Sequence, residues 1–472
     1  MNPNETCKCG PGYKTPLLAM YGPREEILYV PAVYSGTNTH QPDYLATIDV
    51  NPNSKDYCKI IHRLSMKYND DEIHHMGWNS CSSCYSDSTK KRTFLILPTL
   101  KSGRIYIVNT SNTTAPTLHK TIEGDEIKEK TDCGFLHSTH CLASGEIMVS
   151  AMGDKNGNGK GNFVILDEMF DIKGTWISST ESTKYGYDYW YQPYFNVMIS
   201  TEWGEPNSFM HGFDPSKVAD KYGSTMHVWD WKEKKKIQTL ELGSDGLVPL
   251  EIRFLHNPKK PIGYVGAALS SNIICYYLND QTKLWEWKKV ISVEKIDVEG
   301  WALPYIPGLI TDILISLDDK YLYFSNWLHG DLRQYDITDP FNLVLVGQIF
   351  LGGQLTKNAS IKRKDGKELF DVKTVKGKKL RGGPQMFQLS LDGKRIYVSN
   401  SLFSAWDNQF YPDMIKEGSH ILQIEVDTEK GGLSLNENFF VDFGNEPHGP
   451  ALCHEIRYPG GDCSSDIWLA SD

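Results

Sequence analysis

The sequence predicts an all-β protein, a seven-bladed β-propeller forming a single domain over residues 1–472. Three observations predict it. The string SLDDKYLYFSN at 316–326 returns as SLDGKRIYVSN at 390–400, 74 residues later. Each copy sets an Asp-Asp or Asp-Gly turn before alternating apolar residues, a strong hairpin signal. A hairpin repeated at such a spacing points to radial repetition.

Looser copies of the blade's second strand follow in chain order: 25–33, 92–100, 145–153, 195–203 and 262–270, then the two clear ones at 321–326 and 395–400. Several lead into a further strand ending near an Asp, as in RIYIVNT, MHVWDW, DLRQYDI and ILQIEVD. The spacing is irregular, so long loops must absorb the difference. Six or eight blades stay open, because the first and last units are the least regular.

Composition suits one large core. The chain is 40% hydrophobic and 12% aromatic, with a formal net charge of −10. That balance argues against a nucleic-acid binder, which carries a basic face. The most apolar stretch, 301–317, is interrupted by two prolines and Asp312, which argues against a spanning helix. The first residues have no basic segment followed by an apolar one, so no secretory signal is expected. The expected location is the cytosol, and ten cysteines fit it as reduced thiols. Residues 354–381 are rich in Lys and Arg and read as a charged loop insertion between blades. As a sharper alternative, the segment is a docking patch for an acidic protein or for lipid head groups.

In a propeller the innermost strands line a central channel, so polar residues far apart in sequence converge there. The candidates, blade by blade, are His74 and His75, His137 and His140, Asp188, Glu251, Asp312, Gln385 and His454. A one-residue slip of register would turn some of them away. Imidazoles in such a ring suit copper or zinc with an open coordination position. His75, His140 and His454 fall at equivalent places in their blades. Ordinary hydrogen-bonded histidines are the alternative for each, including His256 and His329.

Cys81 and Cys84 form C-S-S-C shortly after His75, Cys58 stands in D-Y-C, and Cys7 and Cys9 form C-K-C. The C-S-S-C pair reads as half a zinc site, a redox pair or plain structural thiols, and its disulfide state stays open. A reactive thiolate also takes copper(I) or selenium, which favours Cys58 or the pair. The segment DKNGNGKG at 154–161 begins like a calcium loop, but Ile165 stands where the closing Glu belongs. It reads as a Gly-rich turn.

The strings KCGPGYKTP, HHMGWNSCSSC, FLHSTHCLASGE, PLEIRFLHNP, YFSNWLHGDLRQYDI, GGPQMFQLSLDGKR and RYPGGDCSSDIW resemble the selenium-binding protein family of methanethiol oxidases from end to end. The resemblance implies a seven-bladed propeller that oxidises methanethiol with dioxygen and water to formaldehyde, hydrogen sulfide and hydrogen peroxide. It implies copper held by His74 or His75, His140 and His454, and the channel reading adds His137 as a further metal candidate. It implies covalent selenium at Cys58. It also implies peripheral membrane association and intra-Golgi protein transport for vertebrate members, with the nucleus as a further location. The expected mechanism binds the thiolate at copper held by His75, His140 and His454, and gives Asp312 or Glu251 the acid–base role. A non-enzymatic propeller scaffold docking proteins through 354–381 is the rival from another class. A metal-dependent propeller lactonase is a third reading.

Overall fold

The computed structural model describes residues 10–469. Among them are seven four-stranded antiparallel sheets, with a three-stranded and a two-stranded sheet beside them. Each of the seven strings read as a second strand occupies the second position of its own sheet: Ile27–Val33, Phe94–Pro98, Ile147–Gly153, Val197–Ser200, Ile262–Ala267, Tyr321–Asn326 and Arg395–Val398.

The repeated string is a serine-locked turn. Ser316 Oγ donates to Asp318 at 2.5 Å and accepts the Tyr321 N–H at 2.9 Å. Ser390 Oγ does the same with Asp392 at 2.7 Å and Arg395 N–H at 3.0 Å. The Asp side chain satisfies a hydroxyl that in turn satisfies the backbone, so the turn closes without water.

Along each sheet the burial changes. The strand Tyr321–Asn326 is buried throughout, whereas the outer strand Lys59–Asn69 alternates with mostly exposed residues. Residues on both faces of the middle strands pack against neighbouring sheets, which is why those strands read as near-continuous apolar runs. One such inter-sheet core joins Phe163, Met198, Trp229, Phe254 and Tyr276. Burying each of these large side chains contributes about 1.5–3 kcal/mol.

The inner-edge strands meet one another through buried carboxylates. Asp188 Oδ2 accepts the Ile252 N–H at 3.1 Å, Asp312 Oδ2 accepts the Phe387 N–H at 2.9 Å, and Glu455 accepts the Met76 N–H. Each bond satisfies a backbone donor that the neighbouring sheet would otherwise leave orphaned. The chain ends close on each other in one sheet. Ala32 pairs with Cys453 and Val33 with Leu452, so the C-terminal strand Leu452–Cys453 completes the sheet begun by the N-terminal strands.

The basic segment 354–381 is exposed along much of its length but tied down. Lys362–Arg363 pairs with Ile296–Glu299, and Thr374–Val375 pairs with Lys378–Lys379. Leu355, Val375 and Leu380 are buried, and Arg381 reaches Asp442 at 3.0 Å. The 154–161 segment is a hairpin turn in which Asp154 accepts the Asn156 and Asn158 N–H groups. No helix among the described residues is long and apolar enough to cross a membrane.

Candidate metal centre and adjoining cavity

Four imidazoles meet at the inner edge. His74 stacks on His454 with ring centroids 3.7 Å apart, and His75 lies 4.1 Å from His137. His74 and His137 are 5.1 Å apart, His75 and His454 5.0 Å. One donor nitrogen each of His74, His75 and His137 falls within 4.8 Å of the others.

Local backbone features make this convergence. Gly77 has no Cβ, and a Cβ there would stand 2.6 Å from the Thr139 carbonyl oxygen. The segment carrying His75 and the strand carrying His137 approach only because that space is free. Strand Gly134–Cys141 bulges between Leu136 and Thr139. His137 therefore turns into the cluster, while His140, three residues on, faces Tyr189 and Trp190 at 5.1 and 4.9 Å.

Hydrogen bonds set the tautomers. His454 Nδ1 donates to the Ser401 carbonyl at 2.7 Å, and His75 Nδ1 lies 3.4 Å from Glu455 Oε2. The two Nε2 atoms face each other at 3.4 Å, and with Nδ1 protonated in each ring both would offer lone pairs. The buried Nε2 atoms of His74 and His137 have no hydrogen-bond partner. Burial, reinforced by the neighbouring imidazoles, holds His74 and His137 well below the ordinary histidine range. Burial, aided by His75, brings His454 down to about 3, although its bond to Ser401 opposes this. Neutral imidazoles with free lone pairs in a dry site are the donor set a soft or borderline metal ion takes. An aromatic cap excludes water: Tyr187 packs 3.9 Å from His137, and Trp203 and Trp406 extend the stack.

A cavity of about 40 Å³ adjoins the cluster, with His75, His140, Trp190, Glu251, Arg253 and Glu455 in its wall. Arg253 bridges Asp188 and Glu251, both at 3.0 Å, and lies over Trp190. The cavity's other wall comes from the C-terminal segment, where Asp462 accepts Trp78 Nε1–H at 2.7 Å and Asp466 accepts the Ser82 hydroxyl at 2.5 Å.

The two glutamates flanking His75 are driven apart. Burial, with Asp188 nearby, pushes Glu251 well above the usual carboxylate range. Burial opposes ionisation of Glu455 too, but Arg457 and His75 outweigh it and bring the group to about 2. Glu455 thus orients His75 as an anion, whereas burial favours the protonated form of Glu251. Carboxyls separated in this way divide the acid and base roles of a site.

Of the residues expected from sequence, the structure brings together His74, His75, His137 and His454, with Glu251 next to them. His140 lies on the cavity wall and outside the imidazole cluster; burial lowers it to about 4. Asp312 is absent from the cavity wall, and its Oδ2 serves as the inter-strand acceptor for Phe387. Burial raises it to about 7. The Gln385 amide is buried with both polar atoms unpartnered. His256 and His329 are satisfied core histidines, bonded to the Ile315 and Ile306 carbonyls at 3.0 Å. Cys58 is half-buried at the turn before the outer strand, its sulfur 3.7 Å from the Asn438 carbonyl, and burial raises its thiol. Cys81 and Cys84 are free thiols. Cys7 and Cys9 lie outside the described residues.

Sequence reasoning missed Glu455, Arg253 and Arg457. A signal was present: Glu251-Ile-Arg253-Phe254 and Glu455-Ile-Arg457-Tyr458 are two copies of one inner-strand motif.

The comparisons with known proteins agree along the whole chain. Methanethiol oxidase of Xenopus tropicalis is 61% identical over 467 residues, covering 98% of this chain and 99% of that protein. Selenium-binding protein 3 of Arabidopsis thaliana is 57% identical over 471 residues, covering 98% of each. The crystal structure of a hypothetical selenium-binding protein from Sulfolobus tokodaii superposes with a TM-score of 0.88 at 38% identity, over 97% of this chain and 99% of that one. The profile of the 56 kDa selenium binding protein family matches residues 7–469, and the chain belongs to that family.

Proposed function

We propose that this chain oxidises methanethiol with dioxygen and water to formaldehyde, hydrogen sulfide and hydrogen peroxide, using copper at the imidazole cluster. The carrying observation is the union of unpartnered imidazole nitrogens with a cavity of about 40 Å³, which has room for molecules of two or three heavy atoms. The relatives named methanethiol oxidase, near 60% identical, support the same reading.

In this reading His74, His75, His137 and His454 hold the ion, which supplies one-electron exchange between the thiol sulfur and dioxygen. The chain's own residues do the rest. Glu455 fixes His75 through Nδ1. Glu251 exchanges its proton at Oε1, the atom that faces His75 Nε2. Its raised affinity for the proton makes it a donor to reduced oxygen in the resting enzyme, rather than a resting base. Arg253 and Trp190 shape the cavity, and the aromatic cap covers His137. The seven sheets, taken as the blades of a seven-bladed propeller, supply one inner strand each to this arrangement. We assign covalent selenium to Cys58, the one cysteine among the described residues that is not fully buried.

The test measures bound metal and methanethiol-dependent oxygen uptake on one preparation, before and after copper loading. The expected result is copper near one per chain, with uptake that a chelator abolishes. Oxygen uptake that is independent of copper, or no uptake at all, overturns the reading.

A further inference from the structure

The sequence leaves open whether Cys81 pairs with Cys84, and the structure sets Cys81 beside another thiol. Its thiol neighbours that of Cys141, which ends the strand Gly134–Cys141 of the adjoining sheet. Cys84 turns its sulfur toward the Leu142 carbonyl, 3.8 Å away. Cys81 and Cys141 both line the cavity, and Cys84 does not. All three are free thiols.

We propose that Cys81 and Cys141 are a reversible dithiol–disulfide site in the cavity wall, oxidised by hydrogen peroxide. The cavity has room for peroxide, a molecule of two heavy atoms. Neighbouring sulfurs in the wall of one small cavity need only a short approach to reach the S–S length of about 2.05 Å. Cys81 is the attacking partner: burial is the largest influence and opposes its ionisation, but Cys141, Arg92 and the Ser83 hydroxyl together bring its thiol below the ordinary cysteine range.

The steps balance. The Cys81 sulfur attacks one peroxide oxygen, the S–O bond forms, and the O–O bond breaks. The departing hydroxide takes the Cys81 proton and leaves as water. The Cys141 sulfur then attacks the sulfenic sulfur of Cys81, the S–S bond forms, and the S–O bond breaks. The second oxygen leaves as water with the Cys141 proton. The thiols lose two electrons and peroxide gains them. The step needs only peroxide, so it stands apart from the identity of the cavity's thiol substrate. The disulfide would join the loop after Gly77–Trp78 to the next sheet, beside His140.

The test exposes the full chain to equimolar hydrogen peroxide, alkylates the remaining thiols in denaturant, and maps unreduced peptides by mass spectrometry. A Cys81–Cys141 cross-link is expected, with two of the ten cysteines lost to alkylation and recovered by dithiothreitol. Cys84→Ser should keep the cross-link. Cys141→Ser should abolish it and leave Cys81 as a sulfenic acid that dimedone traps. Full alkylation of Cys81 and Cys141 after peroxide, or a Cys81–Cys84 cross-link in their place, overturns the proposal.

Discussion

His75 Nε2 lies 4.0 Å from Glu251 Oε1, a buried oxygen with no hydrogen-bond partner. On its other side the same imidazole is held by Glu455 through Nδ1. One ring thus joins two carboxyl groups of opposed acidity and three further imidazoles. The imidazole cluster and the cavity are one chemical unit because His75 belongs to both.

Glu251→Gln preserves the shape and the contact with Arg253 but removes the transferable proton. Thiol-dependent oxygen uptake should fall about 10²–10⁴-fold in kcat, the usual contribution of a positioned acid or base. Bound copper, measured on the same sample, should stay near the wild-type level. Unchanged kcat would remove Glu251 from proton transfer.

The cluster separates two histidines that the H-x-x-H spacing joins. His137→Ala deletes an unpartnered donor nitrogen, so it should lose most of the bound copper together with activity. His140→Ala deletes a cavity-wall ring and should keep copper while lowering activity. Elemental analysis beside oxygen uptake distinguishes them. Loss of copper from His140→Ala with retention in His137→Ala would move the site to the cavity.

The fold was legible because its signal is local. A serine-locked turn followed by a strand is written in consecutive residues at 316–326 and 390–400, and looser apolar strings mark the second strands of the other five four-stranded sheets. The inner strands were harder to read. Strand Gly134–Cys141 bulges between Leu136 and Thr139, Pro249–Phe254 between Pro249 and Ile252, and Ile310–Ile315 between Ile310 and Asp312. His137, Glu251 and Asp312 sit at these bulges, where period-2 reading fails because an extra residue flips the side-chain parity. Asp312 looked catalytic for its charge and place, but its neighbour's N–H makes it an inter-strand acceptor, a pairing no single-strand pattern carries. Glu455 escaped notice because its role comes from Met76 and His75, nearly four hundred residues away in the chain.

Cys58 stands apart from this chemistry. It precedes the outer strand Lys59–Asn69, whereas the imidazoles occupy the inner edges. Cys58→Ser should leave copper content and oxygen uptake within about twofold of wild type, and should remove covalent selenium after exposure to selenite. Selenium retained by the variant would transfer the assignment to another thiol.

His420 offers a pH dependence outside the site. Its ring is buried, stacks on Phe440 and accepts a hydrogen bond from the Asn400 amide at 3.2 Å. Burial, with Arg381 nearby, brings it down to about 3, below its unfolded value of about 6.5. Between these values the unfolded chain binds the proton and the folded chain does not. Its contribution is therefore full above about pH 6.5 and is lost as pH falls toward 3, at about 1.4 kcal/mol per pH unit. His420→Asn removes that proton from the balance. Urea unfolding at pH 7, 6 and 5 should show the variant less stable at pH 7, with a shallower loss on acidification, so that the two proteins converge. Parallel curves would show that His420 charges equally in both states, and the buried, neutral ring would then not describe it.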